Sequence, residues 1–176
     1  GSAAAAHPRA WAGADLTEAA SAIGEVLDAL SPDVVVTYDA TGGYGHPDHV
    51  RTHEATVRAV ASRADAPVLY AVLTPQSWAL EDRAWLAEHV PPGRGLVVPS
   101  PSDPFAVPDA VVTHAVLDPS VVAAQSEALT FHETQVVVGD GWYALSNHVV
   151  TRLAGREGFA RLDPETGQPV RQEGAA

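Results

Sequence analysis

The sequence is organised around one stretch in which an apolar run leads into a glycine-rich loop and then into a helical pattern. The β-branched run Val34–Val36 predicts a buried strand. Thr37–His49 follows with three glycines and a proline, and Val50–Ala61 has the pattern of a helix. Strand, tight loop and helix make half of a βαβ unit, and open α/β sheets bind ligands beyond the carboxyl ends of such strands. The stretch therefore predicts an α/β fold with a functional loop.

The remaining chain alternates between helical and strand patterns. Apolar residues recur at helical spacing over Asp15–Leu30, and Gln76–His89 has the pattern of another helix. Pro67–Leu73 and Asp109–Val116 are the next strand candidates, and Asp118 with Pro119 starts a helix that runs to about Phe131. A helix followed by a parallel strand forms a right-handed crossover. We therefore predict a Rossmann-like, mostly parallel sheet flanked by helices.

The length of 176 residues suits one domain, so we predict a single α/β domain over residues 1–176. Residues 1–13 and 163–176 are expected to be flexible, and the polar, glycine-rich residues from 156 onward to form a tail.

Composition narrows the class of function. The formal net charge of −12 and the pI of about 4.8 argue against nucleic acid and anionic membranes as partners. The sequence has no cysteine, so a metal would be held by histidine and carboxylate side chains. No apolar run approaches the roughly 18 residues of a membrane span, and no signal peptide is visible. We expect a cytoplasmic protein.

The loop carries side chains that suit a metal site. His46 and His49 are three residues apart and share a face in a first helical turn, and Asp48 beside them could orient an imidazole. Two histidines do not complete a catalytic zinc site, which needs three protein ligands and a water. Two alternatives stay open: His49 could pair with His53 one turn later, or the histidines could be ordinary surface residues at a helix start.

Neighbouring residues predict the local structure of this loop. Pro47 suits the first position of a helix, and His46 the position that caps it. Asp39, at the end of the strand, could bind a metal or cap the loop, and the capping interpretation is the stronger one.

These motifs resemble those of a known family. The segments Asp33–Asp39 and Gly42–Val50 resemble the second signature of the LmbE/PIG-L-like zinc deacetylases, and Ala128–Val138 and Ala144–Asn147 are similar to their carboxyl-terminal part. The match is strongest to the branch that deacetylates N-acetylglucosaminyl-inositol in mycothiol biosynthesis.

The resemblance implies roles for four residues and a Zn²⁺ cofactor. His49 would be a metal ligand. His46, as imidazolium, would stabilise the oxyanion or protonate the leaving amine, and Asp48 would orient His46 and favour its charged form. Tyr44, between glycines, would donate its hydroxyl to the oxyanion. The implied substrate is a small molecule of the N-acetylglucosaminyl-inositol type.

The resemblance also exposes a gap. The first family signature, Ala-His-Pro-Asp-Asp-Glu, supplies two metal ligands and the general base, and this chain has no such string; His7-Pro8-Arg9 lacks the carboxylates. The chain therefore looks like the carboxyl-terminal part of the enzyme, and the sheet should be incomplete on its amino-terminal side. A separate amino-terminal fragment or a homo-oligomer would complete it. The rival activities are amide hydrolysis of mycothiol S-conjugates, a truncated non-catalytic paralogue, and a metal-binding module without catalysis.

Overall fold

The structure is a computed structural model that describes residue 7 and residues 10–93, 95–100 and 106–170. Its mixture of helices and sheets confirms the predicted α/β class. The helices are α1 (Leu16–Leu30), α2 (Gly42–Gly45), α3 (Pro47–Ala61), α4 (Gln76–His89) and α5 (Val122–Thr130). The strands are β1 (Val34–Thr37), β2 (Val68–Leu73), β3 (His114–Leu117), β4 (Val136–Gly139), β5 (Trp142–Leu145), β6 (Val150–Arg152) and β7 (Arg156–Arg161).

The described residues cluster into two compact units. The first comprises the described parts of residues 1–73, 110–114 and 159–176, and the second comprises those of 74–109 and 115–158. The expectation of one domain over residues 1–176 stays a prediction. No helix in the described part of the chain is long and apolar enough to cross a membrane.

The residues that flank helix α1 define both of its ends. The Asp15 carboxylate accepts hydrogen bonds from the backbone N–H groups of Thr17 and Glu18, at 2.8 and 3.0 Å. These bonds, the one from Glu18 first, hold the pKa of Asp15 below its ordinary value of 3.8 because they stabilise the carboxylate. At the other end, Ser31 adopts a left-handed conformation directly before Pro32, which cannot continue a helix.

The core of the first unit lies between β1, β2 and α3. Strands β1 and β2 are parallel, with Val35 opposite Leu69 and Thr37 opposite Ala71. Leu69 and Ala71 are almost completely buried, as are Ala55, Ala59 and Val60 on α3. The βαβ unit predicted from the sequence is therefore present. The prediction that Val34–Val36 is buried is wrong for Val34 and Val36, which are 50% and 53% exposed.

The sheet that contains β1 has the strand order β1-β2-β7-β3. Strand β7 corrects the expectation of a tail from residue 156 onward: the Leu162 N–H donates to the carbonyl of Leu69, and the Thr113 N–H to that of Phe159, both at 2.8 Å. Ala160, the residue before the last in this strand, is completely buried. Residues 163–170, expected to be flexible, form a turn in which Asp163 accepts from the N–H groups of Glu165 and Thr166.

The second unit contains a three-stranded antiparallel sheet that the sequence analysis did not predict. Its strand order is β4-β5-β6, and Val136 lies opposite Leu145. Side chains from α4, β5 and β6 form its core: Leu86, Trp142, Ala144 and Val150. Asp140 and Gly141 form the turn between β4 and β5, and the positive φ of Gly141 is one that glycine adopts readily.

Charged and aromatic side chains join α4 to β6 and β7 within the second unit. The Arg156 guanidinium donates to the carboxylates of Glu81 and Asp82, at 2.8 and 2.6 Å, and lies 4.9 Å from the ring centroid of Trp78. Arg152 lies over Trp85 at the same distance. The hydrogen bond from Arg156 lowers the pKa of Glu81.

Candidate active site

The loop after β1 is closed by a carboxylate. Asp39 accepts the Gly43 N–H with one carboxylate oxygen, at 2.7 Å, and the Thr41 hydroxyl with the other, at 2.8 Å. Its backbone carbonyl accepts the Gly42 N–H. Both carboxylate oxygens thus serve the loop itself, which confirms the interpretation of Asp39 as a capping residue.

Gly42 is the residue at which this loop meets α3. It is buried, has φ of +68°, and a Cβ built on it would lie 2.8 Å from the Val50 nitrogen and 3.0 Å from the His49 Cβ. Both its conformation and its packing therefore require glycine. Gly43 and Gly45 also have positive φ, but open space surrounds the position of a Cβ at each.

Helix α3 starts as the sequence predicted. Pro47 occupies the first turn, and His46 is the capping residue whose Nδ1 accepts the Asp48 N–H at 3.2 Å. Because Nδ1 is the acceptor, the ring proton of neutral His46 resides on Nε2. His46 therefore presents an N–H donor on the side of the ring that does not cap the helix.

Three of the four predicted site residues form a cluster of rings. The centroids of His46 and His49 are 4.8 Å apart, and the Tyr44 ring meets both edge-on, at 5.9 Å from His46 and 5.2 Å from His49. Tyr44 is exposed, and the two histidines are partly buried. The loop therefore brings two imidazoles and a phenol to one accessible place.

Tyr38 is a member of the cluster that the sequence analysis did not assign to the site. Its ring stacks on His49 with a centroid distance of 3.9 Å and an angle of 4° between the planes. An aromatic residue directly after a predicted strand was the available signal, since such a residue stands at the carboxyl edge of the sheet. Stacking fixes the plane of the His49 imidazole.

The orientation of His49 is fixed a second time by a hydrogen bond. Its Nδ1 lies 3.2 Å from the Gly42 carbonyl oxygen. The carbonyl can only accept, so Nδ1 carries the proton and Nε2 has a lone pair available. A backbone carbonyl that holds one ring nitrogen of a histidine is the common arrangement around metal-binding histidines.

His53 has a structural role instead. It is buried, and its Nδ1 lies 2.8 Å from the Tyr38 carbonyl oxygen. Its Nε2 faces Gly167, where a Cβ would approach to 3.1 Å. The alternative in which His49 and His53 bind one metal ion is therefore not the arrangement in the structure.

Asp48 bonds to His46 through its backbone N–H and not, as the sequence suggested, through its carboxylate. The backbone N–H of Asp48 bonds to His46, whereas its carboxylate accepts the Ala12 N–H at 3.0 Å. Two nitrogens of Arg51 donate to the Ala12 carbonyl at 3.2 Å, and the Trp11 indole N–H donates to Thr52. These bonds hold the turn Trp11–Gly13 against the first half of α3.

The arrangement fits part of a metal site. His49 has the lone pair and the fixed ring that a ligand needs. Among the residues that the structure describes, no three histidine, cysteine or carboxylate side chains lie close enough together to hold a metal ion. The described residues can therefore supply a share of a catalytic metal site, whose further ligands would have to come from elsewhere.

Comparison with known proteins agrees with the resemblance in the motifs. A family model described as "PIG-L: GlcNAc-PI de-N-acetylase" matches residues 6–60, which include the whole ring cluster. The 1D-myo-inositol 2-acetamido-2-deoxy-alpha-D-glucopyranoside deacetylase of Gordonia bronchialis is 38% identical over 93% of this chain and 59% of its own length. The protein of the same name in Rhodococcus jostii is 38% identical over 96% of this chain and 61% of its own length. The chain thus spans less than two thirds of the length of these relatives.

Proposed function

Because this chain belongs to the PIG-L/LmbE-like family of de-N-acetylases, we propose that it forms part of a metal-dependent hydrolase acting on the acetamide of N-acetylglucosaminyl-inositol. The substrate is the one named for its relatives in Gordonia and Rhodococcus. The observation that supports the proposal is the ring cluster after β1, in which His46 and His49 both bond to the backbone through Nδ1 and no hydrogen bond from a described residue engages the Nε2 of either ring.

Zinc fits the donor set, since the Nε2 of His49 would serve as one ligand. The metal would polarise the amide carbonyl and lower the pKa of a bound water. By resemblance, two further ligands and the general base would come from a His-Pro-Asp-Asp signature outside this chain. The described residues do not hold three ligands, so the site would be complete only together with that part.

The remaining residues act on the substrate. With its proton on Nε2, His46 would donate a hydrogen bond to the oxygen that becomes negative as the amide is attacked. The Tyr44 hydroxyl would be the second donor, on a loop whose glycines allow it to adjust. The family resemblance implied that the Asp48 carboxylate favours the charged form of His46. The geometry supports another role, in which the Asp48 carboxylate ties the turn Trp11–Gly13 to the start of α3, the helix that His46 caps.

Loss of the Tyr44 hydroxyl tests this proposal directly. The chain is supplied with zinc and with the part of the relatives that has no counterpart in it, and release of acetate from N-acetylglucosaminyl-inositol is measured. Tyr44→Phe should lower kcat about 100-fold, as expected for one oxyanion donor, with little change in zinc content. Tyr143→Phe, in β5, is the matched control and should leave kcat unchanged. Equal turnover in Tyr44→Phe and wild type would remove Tyr44 from the mechanism.

A sister activity, amide hydrolysis of mycothiol S-conjugates, is separated by assaying both substrates. Gly45 and the run Thr134–Val138 favour the deacetylase.

A non-catalytic protein is the second candidate, and one observation favours it. The described residues contain no three-ligand cluster, so the described part of the chain has an incomplete site. Zinc titration of the chain with and without the complementary part distinguishes the two. Stoichiometric zinc without acetate release would support a binding module, and acetate release would exclude it.

A further inference from the structure

Tyr38 is held at two points by two histidines that lie one turn apart on α3. Its backbone carbonyl oxygen lies 2.8 Å from the Nδ1 of His53, and its ring stacks on His49 with a centroid distance of 3.9 Å. A carbonyl oxygen can only accept, so His53 donates this hydrogen bond. Because β1 ends at Thr37, Tyr38 is the first residue of the loop that leads to the ring cluster. That loop therefore starts from a carbonyl and a ring that are both held by α3.

The stack restrains His49 in a direction that its own hydrogen bond leaves free. The bond between His49 Nδ1 and the Gly42 carbonyl fixes one ring nitrogen, but the ring can still pivot about the line through those two atoms. The Tyr38 ring lies almost parallel to the imidazole, with 4° between the planes, and resists that pivoting. A metal ligand needs the lone pair of its nitrogen, which lies in the ring plane, to point at the ion. The direction of the His49 Nε2 therefore depends on the position of Tyr38.

The turn Asp163–Gly167, which follows β7, packs against the other ring nitrogen of His53. A Cβ on Gly167 would lie 3.1 Å from His53 Nε2 and 3.1 Å from a methyl group of Val57, so only a residue without a side chain fits there. Gly167 has φ of +67°, and its N–H donates to the Asp163 carbonyl at 2.8 Å. His53 is 6% exposed. Its imidazole is thus enclosed between the turn on one side and the Tyr38 carbonyl on the other.

We propose that His53 and the turn Asp163–Gly167 are positioning elements for His49 and that they act on it through Tyr38. The hydrogen bond from His53 sets the position of Tyr38, and the Tyr38 ring sets the direction in which His49 presents its lone pair to a divalent cation. The turn limits how far the His53 imidazole can move away from the Tyr38 carbonyl. The proposed function enters in one respect only, which is the identity of His49 as the metal ligand.

A histidine that only fills the core would have a different consequence. A leucine of similar size at position 53 fills the same space, but it cannot donate to the Tyr38 carbonyl. If His53 only packed, its replacement would change the stability of the fold and leave the orientation of the His49 ring as it is. If His53 positions Tyr38, its replacement must change the surroundings of the His49 ring as well.

Nuclear magnetic resonance of the ¹⁵N,¹³C-labelled chain at one fixed pH tests the inference without any measurement of activity. The face of the Tyr38 ring shields the ring protons of His49, so an upfield shift of those protons reports the stack. Zinc chloride is then added in steps. Binding at His49 moves the ¹⁵N resonance of its Nε2, and the course of that change gives the zinc affinity at this nitrogen.

Two substitutions of His53 separate the hydrogen bond from the packing. His53→Leu should remove most of the upfield shift and lower the zinc affinity at His49 about tenfold, as expected for a residue that supports a ligand. His53→Asn places an amide N–H near the position of Nδ1 and should retain both. His89→Leu is the matched control, because His89 is also a helix histidine whose Nδ1 lies 2.8 Å from a backbone carbonyl, that of Trp85 in α4. It should leave the His49 signals unchanged.

Gly167→Ala tests the turn separately. The added Cβ would press on the His53 imidazole, so this variant should also reduce the upfield shift of the His49 ring protons. Gly95→Ala is its control: Gly95 has φ of +69°, close to that of Gly167, but nothing lies within 4 Å of the added Cβ. Gly95→Ala should therefore keep the wild-type His49 signals.

Three results would overturn the inference. One is a wild-type chain whose His49 ring protons show no upfield shift. Another is a His53→Leu chain, folded by circular dichroism, that keeps both the upfield shift and the zinc affinity of wild type. The third is a folded Gly167→Ala chain with wild-type His49 signals, which decides the question if His53→Leu does not fold. A wild-type chain that shows the upfield shift but no zinc-dependent change at Nε2 would instead contradict the proposed function, and the upfield shifts of the variants would still decide the positioning.

Discussion

Substitution of Gly42 by alanine should damage the loop that carries the ring cluster more than any other single methyl addition in it. Gly42 has φ of +68°, and the added Cβ would lie 2.8 Å from the backbone nitrogen of Val50 and 2.9 Å from its Cγ2. The backbone nitrogen of Val50, in the first turns of α3, cannot move without shifting the helix. The loop or the helix must therefore give way.

Two contributions set the size of the effect. A side chain in the left-handed region costs roughly 1–2 kcal/mol. Overpacking a filled site adds about 1–3 kcal/mol. Gly45→Ala is the matched control, because its φ is +82° but nothing lies within 4 Å of the added Cβ. We therefore expect Gly42→Ala to lose about 2–5 kcal/mol of unfolding free energy and Gly45→Ala only about 1–2.

Urea unfolding followed by circular dichroism measures both losses, provided that the denaturant slopes agree between variants. A second measurement follows the site itself. The Gly42 carbonyl accepts the His49 Nδ1–H at 3.2 Å, so a displaced loop should weaken that bond and change the ¹⁵N shifts of the His49 ring. Equal destabilisation by Gly42→Ala and Gly45→Ala would refute the packing argument, and an unchanged His49 spectrum would refute its link to the site.

Three further changes have clear expected outcomes. Gly24→Ala, inside α1 with nothing within 4 Å of the new Cβ, should raise the unfolding free energy by about 1 kcal/mol, as measured by thermal unfolding. A lower unfolding free energy would contradict the finding that the space around the new Cβ is open. The pKa of Asp15 is lowered in the folded state, so its stabilisation of α1 is complete above pH 3.8 and lost as the pH falls through the folded value. Asp15→Asn should therefore flatten the acid limb of the stability curve, and an unaltered limb would exclude this cap as a cause. Arg51→Met removes both donors to the Ala12 carbonyl. It should lower the unfolding free energy by about 1–2 kcal/mol and speed proteolysis near residue 12. Cleavage at the wild-type rate would show that Arg51 does not hold that turn.

Much of the candidate site was predictable because its signals are local. A capping residue before Pro47, a loop-closing Asp39 and a shared face for His46 and His49 all follow from residues within one turn of each other. The connection of Asp48 to Ala12 was not predictable, because it spans 36 residues and depends on how the turn Trp11–Gly13 packs on α3. Tyr38 was missed for a similar reason: stacking on His49 requires the loop to fold back over the strand end.

The same distinction applies to the fold. The sequence by itself determined the α/β class, the βαβ unit around Val34–Val36 and the helix boundaries at Asp15 and Pro47, since these depend on periodicity and on capping side chains. Only the tertiary structure decided that the polar residues Arg156–Arg161 form a strand between β2 and β3, that β4, β5 and β6 form a separate antiparallel sheet, and that one face of β1 stays open. Strand pairing is a choice among distant partners, and its free energy comes from packing and backbone hydrogen bonds that no local pattern encodes.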